Sequence, residues 1–204
     1  MKLKAPRTGA KRLGEPTLTA ADWAEAALHL IAETGLPALT VGTLAARLRV
    51  TKGSFYWHFR SRSELLAAAL DRWEQRATKK TIKGLDAVPD ARCRLELMLE
   101  AASRAPRSRS LYAALAEAAG DPIVRPVLHR ITSTRIRYLE SCYHELGFGQ
   151  PVARAKALLA YAAYRGLLQL AREAPSALPK DWTCYPATVR NALLPAKRDK
   201  IGPE

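Results

Sequence analysis

Acidic residues are scarce in this chain: 19 Asp and Glu stand against 33 Lys and Arg in 204 residues, a formal net charge of +14. Such a balance disfavours cationic partners and favours polyanions such as DNA or an acidic membrane surface. Long apolar runs are missing too. The basic start leads into the amphipathic Ala20–Ala32 and not into an apolar signal core, and no later segment approaches the roughly 18 residues of a membrane span. No membrane association is therefore expected, and the protein is assigned to the cytoplasm. Cysteine is rare: Cys93, Cys142 and Cys184 are far apart and lack partners at metal-ligand spacing, which leaves reduced, mostly buried thiols as the expectation. Strand-type alternation is absent, so the fold class is all-α. Catalytic constellations are absent as well: His129 and His144 fall on one long helix with no adjacent nucleophile or paired carboxylates, and no Gly-rich phosphate loop follows a strand. Neither an enzyme nor a cofactor is expected.

What is present concentrates between Leu39 and Leu66, LTVGTLAARLRVTKGSFYWHFRSRSELL. Thr40 can cap a helix in which Val41, Leu44, Ala45 and Leu48 recur on one apolar face. Arg49 and Val50 make a turn. Thr51 caps a second helix, Lys52 to Phe59, whose Phe55 and Phe59 lie four apart on one side while Gly53, Ser54 and Trp57 face the other. Ser61 with Glu64 forms a capping box for a third, longer helix with Arg62 in its first turn. Two short helices joined by a tight turn read as a helix-turn-helix, a unit that reads DNA.

The run T-K-G-S-F-Y-W-H-F-R-S-R-S-E-L-L, preceded by T-V-G-T-L-A-A-R-L-R-V, resembles the N-terminal domain of the tetracycline-repressor (TetR) family of bacterial transcriptional regulators, strongly over about Leu18 to Arg76 and weakly beyond. The resemblance places Lys52 near DNA and gives Tyr56 and His58 to phosphates, as residues that position the protein without specifying a sequence. His58 has a second reading as a hydrogen-bonded structural histidine. Ser54 and Trp57 point outward, and an exposed tryptophan on so short a helix implies a partner that covers it. Gly53 lowers helix stability and in return permits close backbone approach to the duplex. Thr40 and Arg62 sit at helix N-termini, where backbone N–H groups favour a phosphate oxygen. The expected DNA-contacting set is Thr40, Thr43, Thr51, Lys52, Gly53, Ser54, Tyr56, Trp57, His58 and Arg62. Two residues depart from the family pattern. Arg49 stands where glycine is usual, so either it is strained or the turn differs. Gly42 offers no side chain where some relatives reach a base, which throws specificity onto Lys52, Ser54, Trp57 and the N-terminal arm.

Beyond this unit the chain reads as helices only. Thr19 caps one that ends at Gly35, and the helix after Ser61 runs to about Lys83 as a rod between two domains. Amphipathic helices follow around Leu95 to Ala102 and Leu111 to Ala119. Asp121 caps a long helix with Pro122 at its first position, where Pro126 predicts a kink or a late start. Pro151 opens the next, Val152 to Arg172, apolar on several faces, and residues 183–194 are the candidate last helix. The helix from Val152 is either the core of a monomeric bundle or, as the resemblance implies, part of a four-helix dimer interface, with Leu159, Ala160, Ala163, Gly166, Leu167 and Leu170 as interface residues. Dimerisation also suits a short recognition helix, since doubling over two half-sites is the common solution.

The domain expectation is a basic disordered arm over 1–17, a helix-turn-helix domain over 18–62, a connecting helix over 63–84, a C-terminal effector-binding and dimerisation domain over 85–195 and a basic tail over 196–204. The arm holds Lys2, Lys4, Arg7, Lys11 and Arg12 and no acid before Glu15, so it either follows phosphates or a minor groove or merely solubilises. The family further implies a repressor released from a palindromic double-stranded DNA operator by a small-molecule effector. Met98, Tyr112, Tyr138, Tyr164 and Trp182 are the candidate pocket residues, with plain core packing as their other reading. The rival function is an architectural or accessory DNA-binding protein without an effector.

Overall fold

The computed structural model describes residues 18–104, 106–177 and 184–194. The basic arm, Trp182 and the basic tail lie outside the described residues. The elements are helices α1 (Ala20–Thr34), α2 (Val41–Arg47), α3 (Lys52–Tyr56), α4 (Arg62–Glu74), α5 (Thr81–Asp86), α6 (Ala91–Arg104), α7 (Pro106–Glu117), α8 (Val124–Glu145), α9 (Gln150–Glu173) and α10 (Cys184–Leu193), with a π-helical segment, Gln75–Lys80, joining α4 to α5. No strand occurs among the described residues.

Capping chemistry sets the boundaries. Thr19 and Asp22 form a complete capping box on α1: the Thr19 hydroxyl accepts from the Asp22 N–H, and the Asp22 carboxylate accepts from the Thr19 backbone N–H at 2.7 Å. Those bonds hold the Asp22 carboxyl below its ordinary pKa. Thr40, Thr51 and Ser61 cap α2, α3 and α4 through their hydroxyls. At the head of α8 the Asp121 carboxylate accepts from the N–H groups of Ile123 and Val124 at 2.8 and 3.2 Å. The α-helix proper begins only at Val124, so Pro126 falls in the first turn, where its missing N–H leaves no bond unmade. The late start, not a kink, accommodates it.

Two apolar clusters organise the molecule. In the first, Trp23, Leu28 and Ile31 of α1 pack with Leu44, Phe55, Phe59, Leu66, Leu70 and Trp73, and the same cluster continues into Leu111, Tyr112 and Leu115 of α7 and Val124, Val127 and Ile131 of α8. Phe55 meets Trp23 edge-on, ring centroids 5.5 Å apart. The core of the N-terminal unit thus does not stop at the connecting helix; α1 seats directly on α7. The second cluster gathers Leu95, Ile136, Leu139, Tyr143, Ala153, Ala157, Tyr161 and Leu193 from α6, α8, α9 and α10.

The expected thiols divide. Cys142 is buried, but Cys93 is exposed, its Sγ–H donating to Asp90 at 3.1 Å, so the expectation of a buried thiol fails there. Position Cys93 faces away from the apolar stripe of Leu95 and Met98, a phase that helical spacing already contained. No three His, Cys, Asp or Glu side chains gather as metal ligands among the described residues. No helix among them is long and apolar enough to cross a membrane.

Candidate nucleic-acid interface

The turn between α2 and α3 decides where the outward face points. Arg49 has φ +57°, the left-handed region, and is the sole non-glycine residue so placed among the described residues. Around it the helix closes with two carbonyl-satisfying bonds, Val50 N–H to Ala45 O at 3.0 Å and Arg49 N–H to Ala46 O at 3.1 Å. This 6→1 and 5→2 pair is the Schellman arrangement, whose C′ residue is usually glycine because a Cβ is crowded there. The chain tolerates arginine at that position and holds its backbone strained.

From that turn α3 is aimed with Phe55 fully buried beneath it and Trp57 89% exposed above. Thr51, Lys52, Gly53 and Tyr56 are exposed beside Trp57, and Ser54 and His58 are half-buried at its margins. Tyr56 leans edge-on against Phe55, centroids 5.2 Å apart, leaving its outer end in solvent. Thr40 and Thr43 are exposed and bonded to each other, Oγ1 to Oγ1, at 2.8 Å. Lys52 lies back over α2: a methyl group placed on Gly42 would meet Lys52 Cε at 3.3 Å and Nζ at 3.7 Å. The glycine therefore makes the space through which the lysine runs, a dependence that reading each residue by its own helix could not show.

Arg62 behaves differently from its neighbours. Its Nε–H donates to Leu39 O at 2.5 Å and an Nη–H to Leu36 O at 3.1 Å, so the guanidinium is turned inward onto the carbonyls of the short 3-10 turn Leu36–Ala38 and its end. Assigning it to a phosphate missed these acceptors, which lie more than twenty positions away in sequence. The side chain secures the segment that delivers Thr40 to the start of α2. A second clamp was also missed: Arg47 pairs bidentately with Glu33, Nη to Oε distances 2.7 and 2.8 Å, tying α2 to α1.

The candidate pocket residues do not form one group. Tyr112 and Tyr164 come together, ring centroids 6.4 Å apart, with Tyr161 and Thr132 beside them. Met98 and Tyr138 belong to the second cluster, nearer the far end of the bundle, and Trp182 lies outside the described residues. The interface candidates divide likewise. Leu159, Gly166 and Leu170 are exposed on α9, whereas Ala160 and Leu167 are buried in their own subunit and Ala163 is half-buried. The open face is completed by Ala155, Leu158 and Ala162.

A helix-turn-helix unit with an exposed recognition face, mounted on a helical bundle, is the build of a transcriptional regulator. Residues 24–69 match the family model described as bacterial regulatory proteins, tetR family, so the N-terminal domain of this chain is similar to theirs. Solved structures share the fold of nearly the whole chain. A TetR transcriptional regulator from Legionella pneumophila superposes with a TM-score of 0.71 at 17% identity over 88% of this chain and 97% of that one. A transcriptional regulator from Rhodococcus sp. Rha1 gives 0.65 at 24% identity over 86% and 92% of the two chains. A putative transcriptional regulator from Saccharomonospora viridis, solved with choline, gives 0.66 at 21% identity over 85% and 92%. At these identities the likeness is one of fold. No curated protein matches the chain by sequence.

Proposed function

We propose that the chain is a sequence-specific DNA-binding transcriptional regulator that acts as a dimeric repressor and releases a palindromic operator when a small molecule binds its C-terminal domain. The observation that carries the DNA half is the 89% exposure of Trp57 directly above the fully buried Phe55, with Lys52 and Tyr56 exposed on the same short helix. Leaving an indole in water forgoes roughly 1.5–3 kcal/mol of burial, which a duplex surface would recover. The net charge of +14 supplies the long-range attraction. Thr40, Thr43, Thr51, Lys52, Gly53, Ser54, Tyr56, Trp57 and His58 form the contacting set, and Arg62 positions them from within. The open α9 face, Leu159, Gly166 and Leu170 with their small neighbours, pairs two copies so that their recognition helices meet half-sites about 34–36 Å apart.

Recovering bound fragments from sheared genomic DNA tests the reading and yields the operator. A discrete palindrome is expected, with Trp57→Ala and Lys52→Ala each weakening its binding at unchanged dimer mass. Fragments with no shared sequence, bound equally well by both variants, would instead support an architectural DNA-binding protein, the reading the strong basic charge favours.

A further inference from the structure

Where α7, α8 and α9 meet, below the π segment, two guanidiniums share one aromatic ring. The Arg165 guanidinium carbon lies 4.3 Å from the centroid of Tyr112 and that of Arg135 lies 5.7 Å from it. Arg165 makes no hydrogen bond or ion pair among the described residues, and Arg135 donates to neutral oxygens, Ala77 O at 2.9 Å and Thr78 Oγ1 at 3.2 Å. Two described acids on the adjoining elements are engaged elsewhere: Glu74 is held by Arg130 at 2.7 Å, and Glu173 accepts from Gln169. The hydroxyls are mutually satisfied, Tyr112 to Tyr161 at 2.9 Å, Tyr112 to Thr132 at 3.3 Å and Thr132 to Tyr161 at 3.2 Å. What the cluster lacks among the described residues is negative charge. Burial pushes the Tyr161 and Tyr164 phenols up, so they stay neutral and do not supply it.

We infer that this cluster is an anion site, and that the effector is a small organic carboxylate whose acid group is drawn between Arg135 and Arg165 while its apolar body lies against Tyr164. Two half-buried cations on one ring repel each other and are costly to desolvate unless a counter-charge completes them. A cationic ligand is disfavoured by the same geometry, because a quaternary ammonium such as choline would compete with two guanidiniums for the ring. Arg135 gives the site its leverage: the guanidinium that meets the carboxylate is the one that holds Ala77 O in the π segment, which continues directly from α4 of the reading unit. Drawing Arg135 toward a ligand loosens that hold. This assignment rests on the effector-responsive reading and refines it.

The test uses the full chain with benzoate, phenylacetate and octanoate as probes, benzamide as the neutral partner of benzoate, and choline chloride as the cation. A saturable rise in melting midpoint is expected with at least one carboxylate and none with benzamide or choline. Arg165→Gln, at a half-buried residue that makes no hydrogen bond among the described residues, should lower that affinity by about tenfold or more, the size of one charge-assisted bond, and, by relieving the repulsion with Arg135, should not lower the unliganded midpoint. Three inert carboxylates, an equal response to benzamide or choline, or full affinity in Arg165→Gln each overturn the anion site. Anisotropy with a recovered operator separates the two ideas: a carboxylate that binds but leaves DNA affinity untouched keeps the anion site and defeats the effector reading. Release of DNA by benzamide or choline, with all three carboxylates inert, does the reverse.

Discussion

At the scale of single residues, the least comfortable position is Arg49. A left-handed backbone costs a residue with a Cβ roughly 1–2 kcal/mol, and glycine avoids the cost while gaining freedom in the unfolded chain. Arg49→Gly should therefore raise stability slightly, by under about 1 kcal/mol, and Arg49→Val should lower it clearly, because β-branching makes that region least accessible. Chemical denaturation of the three proteins checks both signs, and glycine destabilising while valine is harmless would contradict the φ of +57°. Gly42 poses the complementary case. Added bulk there presses on the flexible end of Lys52, so Gly42→Ala should leave the fold within about 0.5 kcal/mol of the parent. Its effect should appear in sequence preference, as a change at the operator positions that Lys52→Ala also changes.

Tyr143 carries a pH dependence. Its phenol is buried, donates to Leu193 O at 3.0 Å, and is pushed by burial, with some help from Cys142, from an ordinary value near 10 up to about 12. The unfolded chain then loses this proton first, so stability is unaffected below about pH 10 and falls between about pH 10 and 12, by about 1.4 kcal/mol per pH unit for one proton. Tyr143→Phe should flatten the alkaline slope in denaturation series by about that amount, whatever it does to stability at neutral pH.

Among the elements, the 3-10 turn Leu36–Ala38 and the π segment carry the most structural consequence for their length. The turn is held by Arg62, and Arg62→Ala would strip Leu36 O and Leu39 O of charged donors in a part-buried site, at a cost of about 1.5–3 kcal/mol. Loss of stability at low salt dependence is the expected signature. A flattened salt slope of DNA binding with full stability would return Arg62 to the phosphates. The π segment presents an irregular carbonyl, Ala77 O, to a side chain from another helix, and its neighbours Glu74 and Thr78 are buried polar residues tied to Arg130 and Arg135. Such bulges recur at functional sites because they free backbone groups for long-range bonds. Apolar spacing alone predicts one uniform helix through this stretch, and nothing in Q-R-A-T-K-K marks the extra residue in the turn; contacts with α8 decide it.

For the whole molecule, the open α9 face sets the assembly prediction. Leu159→Glu combined with Leu170→Glu should leave the fold intact, since both side chains are 59% and 47% exposed in one subunit, yet halve the solution mass and abolish operator binding. Light scattering and anisotropy read the two effects together. Leu167→Glu, by contrast, should unfold the chain, because that residue packs inside its own subunit. The basic arm adds to the charge of the assembly. Deleting residues 1–12 removes Lys2, Lys4, Arg7, Lys11 and Arg12, and if two of them meet phosphates the slope of log K against log salt flattens by roughly 1.8.

The reading head was legible from residue order alone because its signals are local. Caps at Thr19, Thr40, Thr51 and Ser61 and apolar spacing within one or two turns all lie within a few positions of what they control. At Arg49 the resemblance left two alternatives, strain or a different turn, and the φ of +57° decides for strain. Tertiary structure alone decided what depends on distant partners. It turned Arg62 onto carbonyls 23 and 26 positions back, fused the N-terminal core with α7 and α8, and separated the buried Ala160 and Leu167 from the open Leu159 and Leu170. It also brought Arg135 and Arg165 onto the ring of Tyr112. A helix rich in Ala and Leu on most sides states that it must be covered, but not by what. The answer lies in which neighbours the folded chain brings to each face, and that information is spread over the whole sequence.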